Sequence, residues 1–245
     1  MMMQCCYQNI LEAAAVSLSS GSQNPSYPLY RLYDRDIGRM FAAASAGTLQ
    51  VDIEQSGTPQ PVDRLIIPAG HNLEGMSCAL YFSGDGQAWT EAASWTQADG
   101  SLINQSFTSA AHQYWRFAIT NPVIAPQFAE LFLTATYTWE KLPARPGGPF
   151  DDVFNVKTDV TSSGLDRFLV FGNSKRQRVY KVVNAGTQQQ ANITALNEVW
   201  SGAMPFWLYD HEGNWIFGKL TKPIGLKETG AGKFEFDFNF LEVLG

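Results

Sequence analysis

The chain has 245 residues, 45% of them hydrophobic, 13% aromatic and 16% charged, which is enough apolar material for packed cores and excludes a disordered polar chain. Its formal charge of −6 argues against nucleic acid as the main partner. No apolar run approaches the roughly 18 residues of a membrane span, and MMMQCCYQNI lacks the basic start and apolar stretch of a signal peptide.

In chain order, residues 1–20 open with a short strand-like piece, followed by LEAAAVSLSS. Its alanines favour a helical turn, while AVSLSS alternates as an extended strand. GSQNP, residues 21–25, is a loop. Tyr27–Phe41, YPLYRLYDRDIGRMF, has neither helical nor strand period and reads as a long ordered loop with a short turn of helix. Asp34 and Asp36 are expected to turn onto loop amides and to pair with Arg31, Arg35 or Arg39. Strands follow at Leu49–Ile53 and Asp63–Ala69. Cys78–Trp89 contains the tight turn Asp85–Gly86, after which Trp89 is expected in the core. Tyr114–Ile119 is a half-buried strand, and Phe128–Trp139 is the longest β-rich run of this half.

Residues 1–140 contain no lysine, and five arginines face twelve acids, whereas 151–245 is nearly balanced. Between them, 141–150 is rich in proline and glycine and reads as a linker between domains 1–140 and 151–245. In the second domain VFNVKTDV is a strand, and FLVFGNSKRQRVYKVVN reads as a hairpin turning at Gly172–Asn173. Gln188–Trp200 is the one helix, with Ile193, Leu196, Val199 and Trp200 on one stripe and Thr187 or Asn192 as its cap. PFWLYD and WIFGKL flank the turn HEGN as a second hairpin. In the last strand Phe234, Phe236, Phe238 and Phe240 alternate with polar residues.

No catalytic constellation emerges. His71, His112 and His211 have no metal-ligand spacing, and no nucleophile elbow or phosphate loop occurs. Asp34, Asp36 and Asp85 lack the dense spacing of a calcium loop. Cys5, Cys6 and Cys78 form neither a disulfide framework nor a metal motif, which implies a reduced protein made in the cytoplasm. No catalytic residue, metal or cofactor is expected.

Five pieces, in order, carry a resemblance: Leu32-Tyr33-Asp34, Leu49-Gln50-Val51-Asp52-Ile53, Ser83–Trp89, Tyr114–Phe117 and Glu130–Leu133. Together they resemble the discoidin, or galactose-binding-like, family of eight-stranded jelly rolls. The family's usual glycine and tryptophan after the loop aspartate are replaced here by Arg35 and Phe41. The resemblance implies carbohydrate binding, for which Tyr33, Arg35 and Trp95 are the expected residues, with Tyr30 and Trp89 as further platforms.

Ala191–Trp200, Pro205–Asp210, Trp215–Leu220 and Phe234–Leu244 are similar to the small β-barrel-with-helix modules of tailed-phage distal tail and baseplate proteins. Together with the jelly roll, this implies a non-enzymatic component of a virion tail tip, a homo-oligomeric ring of six or three copies that meets other phage tail proteins, with the jelly roll as a docking module or one that binds a cell-surface glycan. The last strand has the look of an open edge, so Phe234, Phe236, Phe238, Phe240 and Leu244 are expected at the contact between copies. The alternative is a carbohydrate-binding protein acting through the jelly roll. A glycan-cleaving enzyme ranks third, because no acid–base pair can be named.

Overall fold

A computed structural model of the chain describes residues 2–120, 122–141, 151–160 and 166–243, with the backbone alone for 151–160 and 166–174. The protein is mainly β with one α-helix, and it divides into two compact units. One is Gln8–Thr136. The other joins Met1–Tyr7 to Tyr137–Leu244. The first seven residues therefore leave the jelly roll to which 1–140 assigned them. Strand β1 (Gln4–Cys6) pairs with Phe206–Tyr209 and with Tyr137–Thr138. A three-residue strand has no local signal for so distant a partner. The linker expected at 141–150 lies almost wholly outside the described residues.

The first unit is a jelly roll of eight strands in two sheets, joined by a further short two-stranded pair. Its strands are β2 (Ala14–Ser20), β3 (Phe41–Ala42), β4 (Leu49–Gln55), β5 (Val62–Ile67), β6 (Ser77–Ser83), β7 (Thr90–Thr96), β8 (Ile103–Ala110), β9 (Tyr114–Thr120), β10 (Gln127–Phe128) and β11 (Phe132–Thr134). A five-stranded sheet in the order β2-β4-β9-β6-β7 faces a three-stranded sheet, β11-β5-β8. The small pair β3–β10 ties in the central loop. In β4, Leu49, Val51 and Ile53 are buried while Gln50, Asp52 and Glu54 are not, the period of a strand with one wet face. The core also holds Leu65, Leu80, Trp115, Phe117 and Phe128.

The central loop is held from below by a buried polar network. Asn9 donates to Glu130 Oε1 at 3.0 Å and to the Leu131 carbonyl at 3.0 Å, and it accepts from the Leu133 amide at 3.2 Å. The Arg35 amide donates to Glu130 Oε2 at 2.9 Å, and the Arg35 guanidinium is paired with Glu12. Arg35 has φ 57°, a conformation uncommon for a non-glycine residue. Burial pushes the Glu130 carboxyl well above its ordinary range, while the Arg35 amide and Asn9 pull it back. This network also breaks the expected long strand Phe128–Trp139, since Glu130 turns inward to it and the Thr136 amide bonds Asp63 at 2.8 Å.

The second unit contains β12 (Tyr137–Thr138), β13 (Asp151–Val160), β14 (Asp166–Ala185), α1 (Thr187–Ser201), β15 (Phe206–Tyr209), β16 (Trp215–Leu220), β17 (Lys227–Gly230) and β18 (Lys233–Glu242). Its sheet runs β12-β1-β15-β16-β18-β14-β13, with β17 also on β18. Among the described residues the path is open, so the expected small barrel is corrected to an open sheet with a helix. Gly172–Asn173 does not turn the chain. It lies within one 20-residue strand, where the register against β13 shifts.

The helix buries Ile193 and Leu196 as its period predicts, but its cap is Gly186, not Thr187 or Asn192. The Gly186 amide donates to the Glu140 carboxylate at 2.7 Å, and the Glu140 amide donates to Gln189 at 3.0 Å. A carboxylate distant in sequence thus meets the positive end of the helix. The last strand is a second correction. β18 has β14 on one side and β16 and β17 on the other, so it is interior. Phe236, Phe238 and Phe240 lie in the unit's own core, Phe234 is half-buried, and Leu244 falls outside the described residues. Period-2 alternation shows which face is buried, not which strands flank it.

Two predictions follow from this packing. A Cβ on Gly218 would enter the contact distance of the Leu241 carbonyl oxygen and lie 2.7 Å from the Phe240 ring. Gly218→Ala should therefore cost about 1–3 kcal/mol in urea unfolding, as overpacking does. The second concerns His71, buried with Nε2 on the Ser101 carbonyl at 2.8 Å and Nδ1 accepting from the Leu73 amide at 3.3 Å. Burial holds its imidazole below the ordinary value. As pH falls below about 6.5, the unfolded chain takes up a proton that the folded site refuses, so stability falls. Glu130, shifted upward, acts in the opposite sense. The wild type minus His71→Gln difference isolates the histidine, and that difference should become more destabilising toward acid.

Candidate functional site

The wet face of the five-stranded sheet is where chemistry converges. Strand register lines up Ser17, Asp52, Arg116, Tyr81 and Glu91 across five strands. The next row holds Ala15, Glu54, Tyr114 and Ser83. Neighbouring residues in each strand, such as Ile53, Trp115 and Leu80, point into the core.

Two open grooves occupy this face. One, of about 210 Å³, is lined by Ser17, Asp52, Glu54, Trp89 and Tyr114, with Gly86 at its rim. The other, of about 350 Å³, is lined by Tyr81, Glu91, Ser94, Trp95, Thr96 and Thr120. Arg116 lies in the register row that joins them. Its Nε and Nη2 donate to the two Asp52 oxygens at 2.6 and 2.7 Å, and its guanidinium stands 4.1 Å above the Trp89 ring. This bidentate pair and stack fix the middle of the face. Trp89, expected in the core, is instead half-buried on this outer face.

The turn that carries Trp89 is built as its sequence predicts. Asp85 accepts from the Gln87 and Ala88 amides at 2.9 and 3.0 Å, which holds its carboxyl below the ordinary range. Gly86, at φ 73°, lies against the Tyr114 ring. The Glu54 carboxylate pushes the Tyr114 hydroxyl upward. Glu54 and Glu91 are exposed, and Glu91 accepts from the Ser94 hydroxyl at 2.6 Å. The face thus offers aromatic rings beside carboxylates and hydroxyls, with its one arginine already committed.

Of the three residues expected to bind a ligand, only Trp95 borders these grooves, and its side chain turns inward, since its register partner Cys78 is buried. Trp95 stacks on Phe117 with ring centroids 6.2 Å apart, and its indole N–H has no hydrogen-bond partner among the described residues. Tyr33 packs half-buried against the core, and Arg35 is buried in its pairing with Glu12 and Glu130. The Arg35 side chain is thus committed to Glu12, and Tyr33 supports the loop from the core side. Asp34 and Asp36 do accept from loop amides, at 3.0 and 3.1 Å. Among the described residues, no three His, Cys, Asp or Glu side chains converge as metal ligands, and no helix is long and apolar enough to cross a membrane. Sequence reading missed Tyr81, Tyr114, Glu54 and Glu91. The alternation around Tyr81, Tyr114 and Glu54, within LYF, YWR and VDIE, was visible, but the register joining them to one another and to Glu91 was not.

The fork between Arg116 and Asp52 makes a prediction. Arg116→Ala leaves a partly buried carboxylate unpaired and should cost about 1–3 kcal/mol in urea unfolding, with a change in tryptophan fluorescence as Trp89 loses its cover.

No family model matches the chain. No curated protein matches it. Solved structures similar to it include CpGH89CBM32-5 from Clostridium perfringens, in complex with GalNAc-beta-1,3-galactose, at 15% identity and TM-score 0.44, covering 52% of this chain and 100% of that one. Chitosan-binding module 1 of a chitosanase/glucanase from Paenibacillus sp. IK-5 is 18% identical at TM-score 0.45, covering 52% and 99%. A putative alpha-L-fucosidase from Bacteroides thetaiotaomicron is 18% identical at TM-score 0.47, and the match spans 52% of this chain and only 28% of the fucosidase.

Proposed function

We propose that the jelly-roll unit is a non-catalytic glycan-binding module whose ligand lies along the wet face of its five-stranded sheet. The observation that carries this reading is the juxtaposition of Tyr81, Trp89 and Tyr114 with Ser17, Glu54, Glu91 and Ser94 in two adjoining open grooves. Pyranose rings present apolar C–H faces and hydroxyl edges. An aromatic ring receives the first, and a carboxylate or hydroxyl receives the second. The unit contains no lysine, and Arg116 is tied to Asp52. An acidic face of this kind favours a neutral glycan over a sulfated or uronic one.

The tail-ring reading placed its contact on the phenylalanines of β18. Those side chains pack inside their own unit, and a ring would have to use other surfaces.

The test is a glycan array followed by calorimetry with the neutral oligosaccharides it selects. Tyr81→Ala and Tyr114→Ala should each weaken binding about tenfold, the scale of a lost ring contact. Tyr33→Phe should leave it unchanged. Failure to find saturable binding of any neutral glycan, or equal loss in Tyr33→Phe, would reject the reading.

A further inference from the structure

Among the described residues of the jelly-roll unit, the exposed large hydrophobic side chains are Tyr27, Tyr30, Val123 and Ile124. All four lie on two loops that the backbone joins. The Ala42 amide donates to the Tyr27 carbonyl at 3.3 Å, the Ala43 amide to the Pro126 carbonyl at 2.9 Å, and Gln127 pairs with Ala42. Val123 is 86% exposed, on a loop held by Asn72, which donates to the Ala125 carbonyl at 2.9 Å and accepts from the Gln127 amide at 2.6 Å. An apolar group this exposed on a clamped loop marks an interaction surface.

The same surface carries both signs of charge. Arg31 lies 5.4 Å from the Tyr27 ring centroid, and Arg39 lies 5.6 Å from that of Tyr30 and donates to its hydroxyl at 3.0 Å. Arg39 meets Asp34 at 3.4 Å. Arg31 donates to the Met40 carbonyl at 3.0 Å and, among the described residues, forms no salt bridge, although its charge reaches Asp34. Asp36, exposed, forms no salt bridge among the described residues. Residues 8–136 hold five arginines against eleven carboxylates, so two copies repel over most of their surface. Three of those five arginines sit on this loop, at 31, 35 and 39. Here the charge nearly cancels around an apolar centre.

A patch with an apolar middle, and one cation and one anion outside its salt bridges, is complementary to itself under a two-fold rotation, in which residue i meets j and j meets i. We infer that this patch is the surface through which a second copy of the chain docks, with Arg31 of each copy facing Asp36 of the other and Val123 and Ile124 packed at the centre. Tyrosine and arginine are the side chains that dominate such contacts, and the rings and guanidiniums are already stacked in place, which lowers the ordering cost. Aliphatic Val123 and Ile124 offer no flat face to a sugar, and a net acidic unit is repelled by anionic lipid. Pairing would also present two glycan faces at once and raise avidity for a multivalent surface, but the inference does not depend on that reading.

The experiment is sedimentation velocity of the whole chain over a series of concentrations without glycan. A concentration-dependent dimer is expected. Ile124→Asp, on an exposed loop, should weaken it at least about tenfold. Arg31→Asp and Asp36→Arg should each do the same, and the double exchange Arg31→Asp with Asp36→Arg should restore it. A monomer at every concentration, a dimer indifferent to Ile124→Asp, or a double exchange no better than its singles would each overturn the inference. Anionic vesicles bound by the monomer and released by Ile124→Asp would assign the patch to lipid instead.

Discussion

The jelly-roll unit hangs on one buried carboxylate. Glu130 is fully buried, and it accepts from Asn9 and from the Arg35 amide. Leaving such a group unpaired inside a protein costs several kcal/mol per charge, so its partners are not optional. Asn9 spends its remaining capacity on the Leu131 carbonyl and the Leu133 amide, which joins the entry of the chain to its closing strand. Arg35 takes up a left-handed conformation to present its amide, and its side chain is neutralised by Glu12. The central loop therefore has a fixed floor, and its tyrosines and remaining arginines are displayed above it.

The sheet face depends on a different constraint. Five strands bring Asp52 and Arg116 to adjacent positions, and the bidentate bond between them is short and only partly wet. The guanidinium in turn covers Trp89, which the Ser83–Asp85 turn delivers. The grooves lie on the two sides of this stack. Function and scaffold share the same residues here: the charges that build the face are spent on each other, and the acids left over give it its sign.

In the second unit a single strand organises the rest. β18 pairs with β14 along one edge and with β16 and β17 along the other, and its phenylalanines fill the space beneath. Trp139 packs between Phe236 and Phe238, with centroids at 5.8 and 4.9 Å. Tyr180 stacks on Phe238 at 4.9 Å. The helix is anchored by Glu140, which comes from the other end of the unit in sequence.

What the amino-acid order by itself determined is local. Alternation in LQVDIEQ and KFEFDFNF marked strands and their buried faces, the stripe at Ile193 and Leu196 marked the helix, and Asp85–Gly86 marked a turn. Each depends only on neighbours a few residues apart. The mainly β class followed from those signals, and the jelly roll from the resemblance that five short pieces carried in order. Tertiary structure decided everything that joins distant segments. It sent Gln4–Cys6 to the second unit, made β18 interior, placed Arg35 in a buried ion pair, and brought Glu54, Tyr114, Tyr81 and Glu91 to one face. Register and strand order are chosen by which pairings bury the most apolar surface and leave the fewest polar groups unpaired, a property of the whole chain that no local window contains.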